Sequence, residues 1–169
     1  METIPIVDET DKIIGKEEIS KVHKEGLLHR EAYSYLINSK KEVLLQKRTD
    51  RLIWDTSSAG HFSIKETYLD GAKREFKEEL GIDVPIKNFV EISYERIKTE
   101  SKNKKNKRFI RVFLVKKDIP ISNFKIDKNE VIEVKYFNLE EIKKLLENPK
   151  KLTKSANILI KKHILTLLE

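Results

Sequence analysis

The chain has no cysteine, which excludes disulfide scaffolds, thiolate metal sites and cysteine nucleophiles. It holds only 5 glycines and 4 prolines in 169 residues, with no Pro/Gly/Ser-rich linker and no internal repeat. No apolar run approaches the roughly 20 residues that a bilayer span needs. The opening Met1-Glu-Thr-Ile-Pro lacks the basic and apolar regions of a secretory signal. Trp54 is the one tryptophan. What remains is a single domain over residues 1–169, expected in the cytoplasm and without membrane attachment.

Positive charge is plentiful. Lys+Arg total 35 against 28 for Asp+Glu, so 35 − 28 gives a formal net charge of +7. Such an excess suits a phosphate-bearing ligand, nucleic acid or an anionic membrane face, or does no more than keep the surface solvated. Hydrophobic residues, at 38%, suffice for one core and are spread along the whole chain.

Alternation and turn residues predict strands over Glu2–Val7 and Lys12–Gly15, separated by the Asp8–Asp11 turn. Glu17–Gly26 reads as a short helix or loop. Ala32–Ile37 places Tyr33, Tyr35 and Ile37 on one side and Ala32 and Leu36 on the other, and pairs as a hairpin with Glu42–Gln46. Arg51–Gly60 reads as irregular. Further strands are expected over Asn88–Ile97, Phe109–Val115 and Val131–Phe137, and amphipathic helices over Leu139–Leu146 and Ile158–Leu168. The connection Lys98–Arg108 contains Lys-Asn-Lys-Lys-Asn-Lys-Arg, whose like charges predict a solvated, mobile loop. The mixture gives an α+β chain with a mixed sheet covered by helices.

Thr67–Leu80 carries the clearest helical signal. Thr67 suits the N-cap, Asp70 stands where a capping box places its partner, and Gly81 falls where a left-handed cap would terminate the helix. At 100° per residue, Glu75, Glu78 and Glu79 fall within about 100° of one another. Phe76, Leu69, Leu80 and Ala72 centre on the neighbouring face, which should dock on the sheet. Three acids at i, i+3 and i+4 repel. A divalent cation with oxygen ligands compensates that repulsion, whereas a bare acidic stripe would simply be solvated. Gly71 lies on the acidic side, where a missing side chain would leave room for a metal or ligand. Arg74 can pair with Glu78 four residues on.

The full spacing is more specific than the acids alone. Gly60, five residues, Glu66, seven residues, Arg74-Glu75, Phe76, Lys77, Glu78-Glu79, Leu80, Gly81 and Ile82 match the fixed positions of the Nudix box. The chain therefore resembles the Nudix hydrolase superfamily. That resemblance implies an α/β/α sandwich with a mixed central β-sheet, and cleavage of a diphosphate joined to a group X by water with Mg²⁺ or Mn²⁺. It implies that Glu75, Glu78 and Glu79, with the Gly60 carbonyl, hold the metal, and that Glu78 or Glu79 positions or deprotonates the water. Arg74 and Glu66 would orient these acids. Many such enzymes add a distant glutamate, for which Glu130 is the first candidate and Glu133 the second.

His23, the Gly-Leu-Leu-His29-Arg segment and Trp54-Asp-Thr-Ser-Ser-Ala-Gly-His61 are similar to the isopentenyl diphosphate isomerase branch and the hydrolases related to it. In those isomerases histidines near these positions bind a metal, and a cysteine precedes the Gly-His step. Here that place is Ala59, and the isomerase acids of the later strand fall near Asn106 and Arg108. Without a convincing acidic partner, His23, His29 and His61 are read as hydrogen-bonding or packing groups before ligands. Lys47, Arg48, Arg51, Trp54 and His61 are candidate substrate contacts.

Three functions compete on these residues. The box favours a hydrolase acting on a nucleoside diphosphate derivative or another small organic diphosphate. Isomerisation needs a proton donor and acceptor across an alkene, and Ala59 disfavours it. A nucleic-acid-binding module would draw on Lys98–Arg108, but that stretch lacks the aromatics of a stacking platform. The expected partner is a small organic diphosphate, and a homodimer is compatible with a sequence that fixes no oligomeric state.

Overall fold

The computed structural model describes residues 2–101 and 104–169; Lys102 and Asn103, part of the expected basic loop, lie outside the described residues. In chain order the strands are β1 (Thr3–Val7), β2 (Ile13–Glu18), β3 (Leu28–Ile37), β4 (Val43–Arg48), β5 (Trp54–Asp55), β6 (Ser58–Gly60), β7 (Phe89–Ser101), β8 (Lys104–Lys116) and β9 (Val131–Phe137). The helices are α1 (Ile19–Glu25), α2 (Tyr68–Leu80), α3 (Leu139–Glu147), α4 (Lys154–Leu159) and α5 (Leu165–Leu168), with a π-helical turn over Ile160–Ile164 between the last two.

β3 organises the sheet. It runs parallel to β8 along its whole length, from Leu28↔Lys107 to Ile37↔Lys116, and antiparallel to β1 and β6. β4 leaves β3 at the Ile37↔Val43 pair and pairs antiparallel with β9 and β5. Both directions thus meet on one strand, so the sheet is mixed, as expected. Because strand side chains alternate, β3 feeds two cores. Tyr33, Tyr35 and Ile37 join the core beneath α3, α4 and α5, while Ala32 and Leu36 join the one beneath α2. Helices therefore cover both faces, which is the expected α+β, α/β/α arrangement.

α2 forms where its ends dictate. The Thr67 hydroxyl accepts from the Asp70 amide, the Asp70 side chain accepts from the Thr67 amide, and Gly81 closes the helix at φ 69°. Ala72, Phe76 and Leu80 are buried against the sheet, and Leu69 packs beside them. Gly71 serves packing instead of a metal: a Cβ there would lie 2.7 Å from the Phe62 Cβ, so the glycine lets α2 close over that ring.

Four expectations change. The chain from Arg51 to Gly60 is not wholly irregular but contributes β5 and β6. β3 begins at Leu28, before the expected Ala32. The last helical stretch begins at Lys154, because Thr153 accepts from the Ala156 amide as an N-cap. The described part of the basic connection is not a loop: β7 and β8 stay paired to Ser101↔Lys104. Ladder bonds join backbone groups and do not depend on side-chain charge, and alternation sends Lys105 and Lys107 outward while Arg108 turns into the protein. Among the described residues, no helix is long and apolar enough to cross a membrane.

Candidate active site

The acidic face of α2 meets β6 edge-on. At Gly60, at the end of β6, a Cβ would stand within 2.7 Å of both carboxylate oxygens of Glu75, so a side chain there would displace that carboxylate. Glu75, Glu78 and Glu79 line one cavity with Gly60, Arg74 and Glu130. Its volume is about 690 Å³. The i, i+3, i+4 spacing, little more than one helical turn, therefore brings the three acids to one place.

Arg74 holds this group together. Its Nε donates to Glu66 Oε1 at 2.8 Å, Nη1 to Glu75 Oε1 at 2.7 Å and Glu78 Oε2 at 2.9 Å, and Nη2 to the His61 carbonyl at 2.8 Å. Glu66 in turn accepts from the Ser63 amide at 2.8 Å. Both ends of the guanidinium are thus fixed, as the Arg74 and Glu66 expectation requires.

Glu79 is the most enclosed acid, 3% exposed. It accepts from Gln46 Nε2 at 2.8 Å and from the Ala59 amide at 3.2 Å. Burial raises its pKa well above the carboxylate range, with Glu75 and Glu130 adding to the rise against the pull of Gln46. Burial likewise pushes Glu75 up to about 7; Arg74 opposes the shift, and Glu78 and Glu130 reinforce it. Arg74 bonds to Glu75 and Glu78 but not to Glu79, whose side-chain and backbone partners, Gln46 and Ala59, are neutral. This oxygen-only donor set fits a hard divalent cation.

Glu130, not Glu133, joins these acids. Its carbonyl accepts from the Thr49 amide at 3.0 Å, which fixes the backbone at the entrance to β9. Glu133 pairs with Lys47 in the β4–β9 ladder and does not line the cavity. Arg48, Arg51 and His61 do line it. Trp54 and Lys47 do not. Trp54 packs edge-on to Phe137 at 4.8 Å and Lys47 lies over its ring at 5.7 Å, so this pair belongs to the packing beside the core.

The three histidines form a second cluster. The rings of His23, His29 and His61 lie 5.2–5.3 Å apart, and candidate ligand atoms of all three and of Glu31 fall within 4.8 Å of one another. His29 Nδ1 donates to the Leu27 carbonyl at 2.9 Å, which leaves its Nε2 lone pair toward the cluster. Among the described residues, none of the three Nε2 atoms has a hydrogen-bond partner, although His61 Nε2 stands 3.0 Å from Glu31 Oε1. Burial depresses the His23 pKa to about 3, with Lys104 and the other two rings contributing, so that ring is neutral. Three imidazoles and a carboxylate are a donor set for a divalent transition metal.

The missing acidic partner is therefore Glu31, which sequence reasoning passed over. Glu31 lies two residues after His29, so both side chains fall on the same face of β3, and period-two alternation was the available signal. Arg108, where the isomerase acids were expected, is 4% exposed and donates to Glu31 Oε2 at 2.8 Å. Gln46 was also missed; nothing local to β4 marks it as a partner of α2.

The NUDIX domain family profile matches residues 27–157. The chain is 33% identical over 165 residues to isopentenyl-diphosphate Delta-isomerase I of Clarkia breweri, covering 83% of this chain and 56% of that protein. It is 29% identical over 157 residues to the uncharacterized Nudix hydrolase CA_C0446 of Clostridium acetobutylicum, covering 87% and 75%. The chain thus spans about half the length of the plant isomerases it matches. In fold it is similar to the crystal structure of DR0079 from Deinococcus radiodurans, with a TM-score of 0.72 at 17% identity over 95% of this chain and 98% of that one.

Proposed function

The chain belongs to the Nudix family, and from that premise we propose that it is a divalent-metal-dependent pyrophosphohydrolase. Its substrate is a nucleoside diphosphate derivative or another small organic diphosphate. The observation that carries this reading is the convergence of Glu75, Glu78, Glu79 and Glu130 on one cavity, where Arg74 bonds to Glu75 and Glu78.

Mg²⁺ or Mn²⁺, held by Glu75, Glu78, Glu79 and the Gly60 carbonyl, would neutralise diphosphate oxygens and make water a stronger nucleophile. The protein's own contributions are positional. Arg74, fixed by Glu66 and the His61 carbonyl, sets the rotamers of Glu75 and Glu78. Glu78 or Glu79 accepts a proton from the attacking water as its oxygen bonds to phosphorus, and the anhydride P–O bond breaks, giving a phosphate monoester and either inorganic phosphate or a second phosphate monoester. Glu130 is the distant acid that supports this step. Arg48 and Arg51 meet the negative charge of the ligand.

The isomerase resemblance extends to a second cation at His23, His29 and His61, with Glu31 as the carboxylate. The convergence of three ring nitrogens and the Glu31 carboxylate supports it. Isomerase chemistry itself is disfavoured by Ala59 and by the intact acidic helix. A cytoplasmic location agrees with the cysteine-free composition.

The decisive experiment is a colorimetric screen of organic diphosphates with Mg²⁺ and Mn²⁺, wild type beside Glu78→Gln. Metal-dependent phosphate release by the wild type, lost in Glu78→Gln with the fold intact, is expected. Equal release by both proteins would discard the assignment of the acids.

A further inference from the structure

The cavity extends well past the carboxylates, to a region built by the β7–β8 hairpin and the start of α4. Lys104 opens β8, Lys150 lies in the turn Pro149–Lys151 and Lys154 begins α4; all three line the cavity. Nearby carboxylates are already engaged. Glu31 is paired with Arg108 at 2.8 Å, Asp55 with Arg48 at 3.6 Å and Glu100 with Lys98 at 3.0 Å. Exposed Glu2 is a further acid in the lining. Among the described residues, none of the three lysines has a salt-bridge partner; Lys154 Nζ instead donates to the Glu100 backbone carbonyl at 2.7 Å.

This region is held in place from behind. Arg108 Nη2 donates to Ser155 Oγ at 2.8 Å and to Thr99 Oγ1 at 3.2 Å, so β8 is tied to α4 and to β7. Lys104 is half-buried, and burial lowers its pKa; Glu31 opposes that shift, while Arg51, Arg108 and Arg48 add their repulsion. An anion in this region would relieve that repulsion. Lysine ammonium groups that line one region without a salt-bridge partner suit a phosphate dianion.

The rest of the lining restricts what else the ligand can be. Tyr33 and His61 are the aromatic rings among the described lining residues; the Tyr33 hydroxyl donates to Glu31 at 3.0 Å, and the His61 ring stacks on His29. Among the described lining residues there is no Phe or Trp face for stacking a planar base, and the aliphatic ones are Ile53, Ala59, Pro149 and Leu152. A prenyl chain would have to displace water from charged side chains without replacing their hydrogen bonds, an unfavourable exchange. A volume of about 690 Å³ holds a small polar ligand with a charged group at either end.

We infer that the group X of the substrate is a hydroxylated, sugar-like unit bearing its own phosphate monoester, which Lys104, Lys150 and Lys154 engage while the diphosphate lies at Glu75, Glu78 and Glu79. The inference rests on the hydrolase reading for the diphosphate end only.

The test compares 5-phosphoribosyl 1-diphosphate, which carries the extra phosphate, with ADP, which does not. Wild type and Lys104→Ala/Lys154→Ala are assayed with Mg²⁺, and binding of both compounds is followed by calorimetry. The expected result is a wild-type preference for the phosphoribosyl compound in kcat/KM, reduced about tenfold or more in the double variant, chiefly through KM. A preference for ADP, or a ratio that the double variant leaves unchanged, overturns the inference while leaving the hydrolase reading intact. Lysine-dependent binding of the phosphoribosyl compound without turnover supports the inference and discards the hydrolase reading. Absence of both binding and turnover discards both, and circular dichroism of the double variant guards against loss of fold.

Discussion

Gln46 Nε2 lies 2.8 Å from Glu79 Oε2, joining the middle of β4 to the last turn of α2 across 33 residues of sequence. The bond selects which oxygen of Glu79 is occupied from behind and which remains for a ligand. It also opposes the burial that drives this carboxyl toward its protonated form.

Gln46→Leu should therefore raise the Glu79 pKa further. We expect a higher Mg²⁺ concentration for half-maximal activity and an alkaline shift of the pH profile, because the metal must displace a proton. Gln46→Glu, which adds another acid, should be worse than Gln46→Leu. Metal titrations of the initial rate at pH 7 and pH 9 check this; coincident curves for wild type and Gln46→Leu would remove Gln46 from the site.

Glu75 links metal to stability. Its pKa is about 7 in the folded metal-free chain against an ordinary 4.5, so the folded state binds the extra proton. The stabilisation is present in full below pH 4.5 and is lost as pH rises through 7. Roughly 3 kcal/mol of pH-dependent stability is at stake at most. Thermal melts in a chelator should fall between pH 5 and pH 8, Mg²⁺ should restore the pH 8 value, and Glu75→Gln should flatten the fall.

Arg108 and Glu31 are both buried, and their bond spans 77 residues. Removing one partner leaves an unpaired buried charge, so Arg108→Met alone should lose about 3–5 kcal/mol. Arg108→Met with Glu31→Gln should recover much of that loss. Chemical denaturation of the single and double variants measures the coupling, and simple additivity would show that the two groups do not depend on each other.

The histidine cluster should retain a divalent ion of its own. Zn²⁺ or Mn²⁺ content after gel filtration is expected to fall on His29→Gln and on His61→Gln, while Glu78→Gln leaves it unchanged. Metal analysis by mass spectrometry decides the point; equal metal content in all four proteins would return the rings to a packing role.

Gly71→Ala separates packing from metal binding. A methyl group against Phe62 should destabilise by about 1–3 kcal/mol without moving the Mg²⁺ half-saturation point. A changed metal dependence at unchanged melting temperature would restore the idea that this glycine makes room for a ligand.

What the sequence determined by itself is local. Helical spacing places Glu75, Glu78 and Glu79 on one face, Thr67, Asp70 and Gly81 set the ends of α2, and alternation sorts Tyr33 and Tyr35 from Ala32 and Leu36. Each of these follows from a period within one element, which a single segment carries. Only the tertiary structure decided which acid stands beside the histidines, that Gln46 supports Glu79, and that Phe62 occupies the space beside Gly71. It also turned part of an expected basic loop into paired strands with Arg108 facing inward. These features depend on the parallel register of β3 with β8 and on how α2 crosses the sheet. Register is set by many distant contacts at once, and no short stretch of sequence contains it.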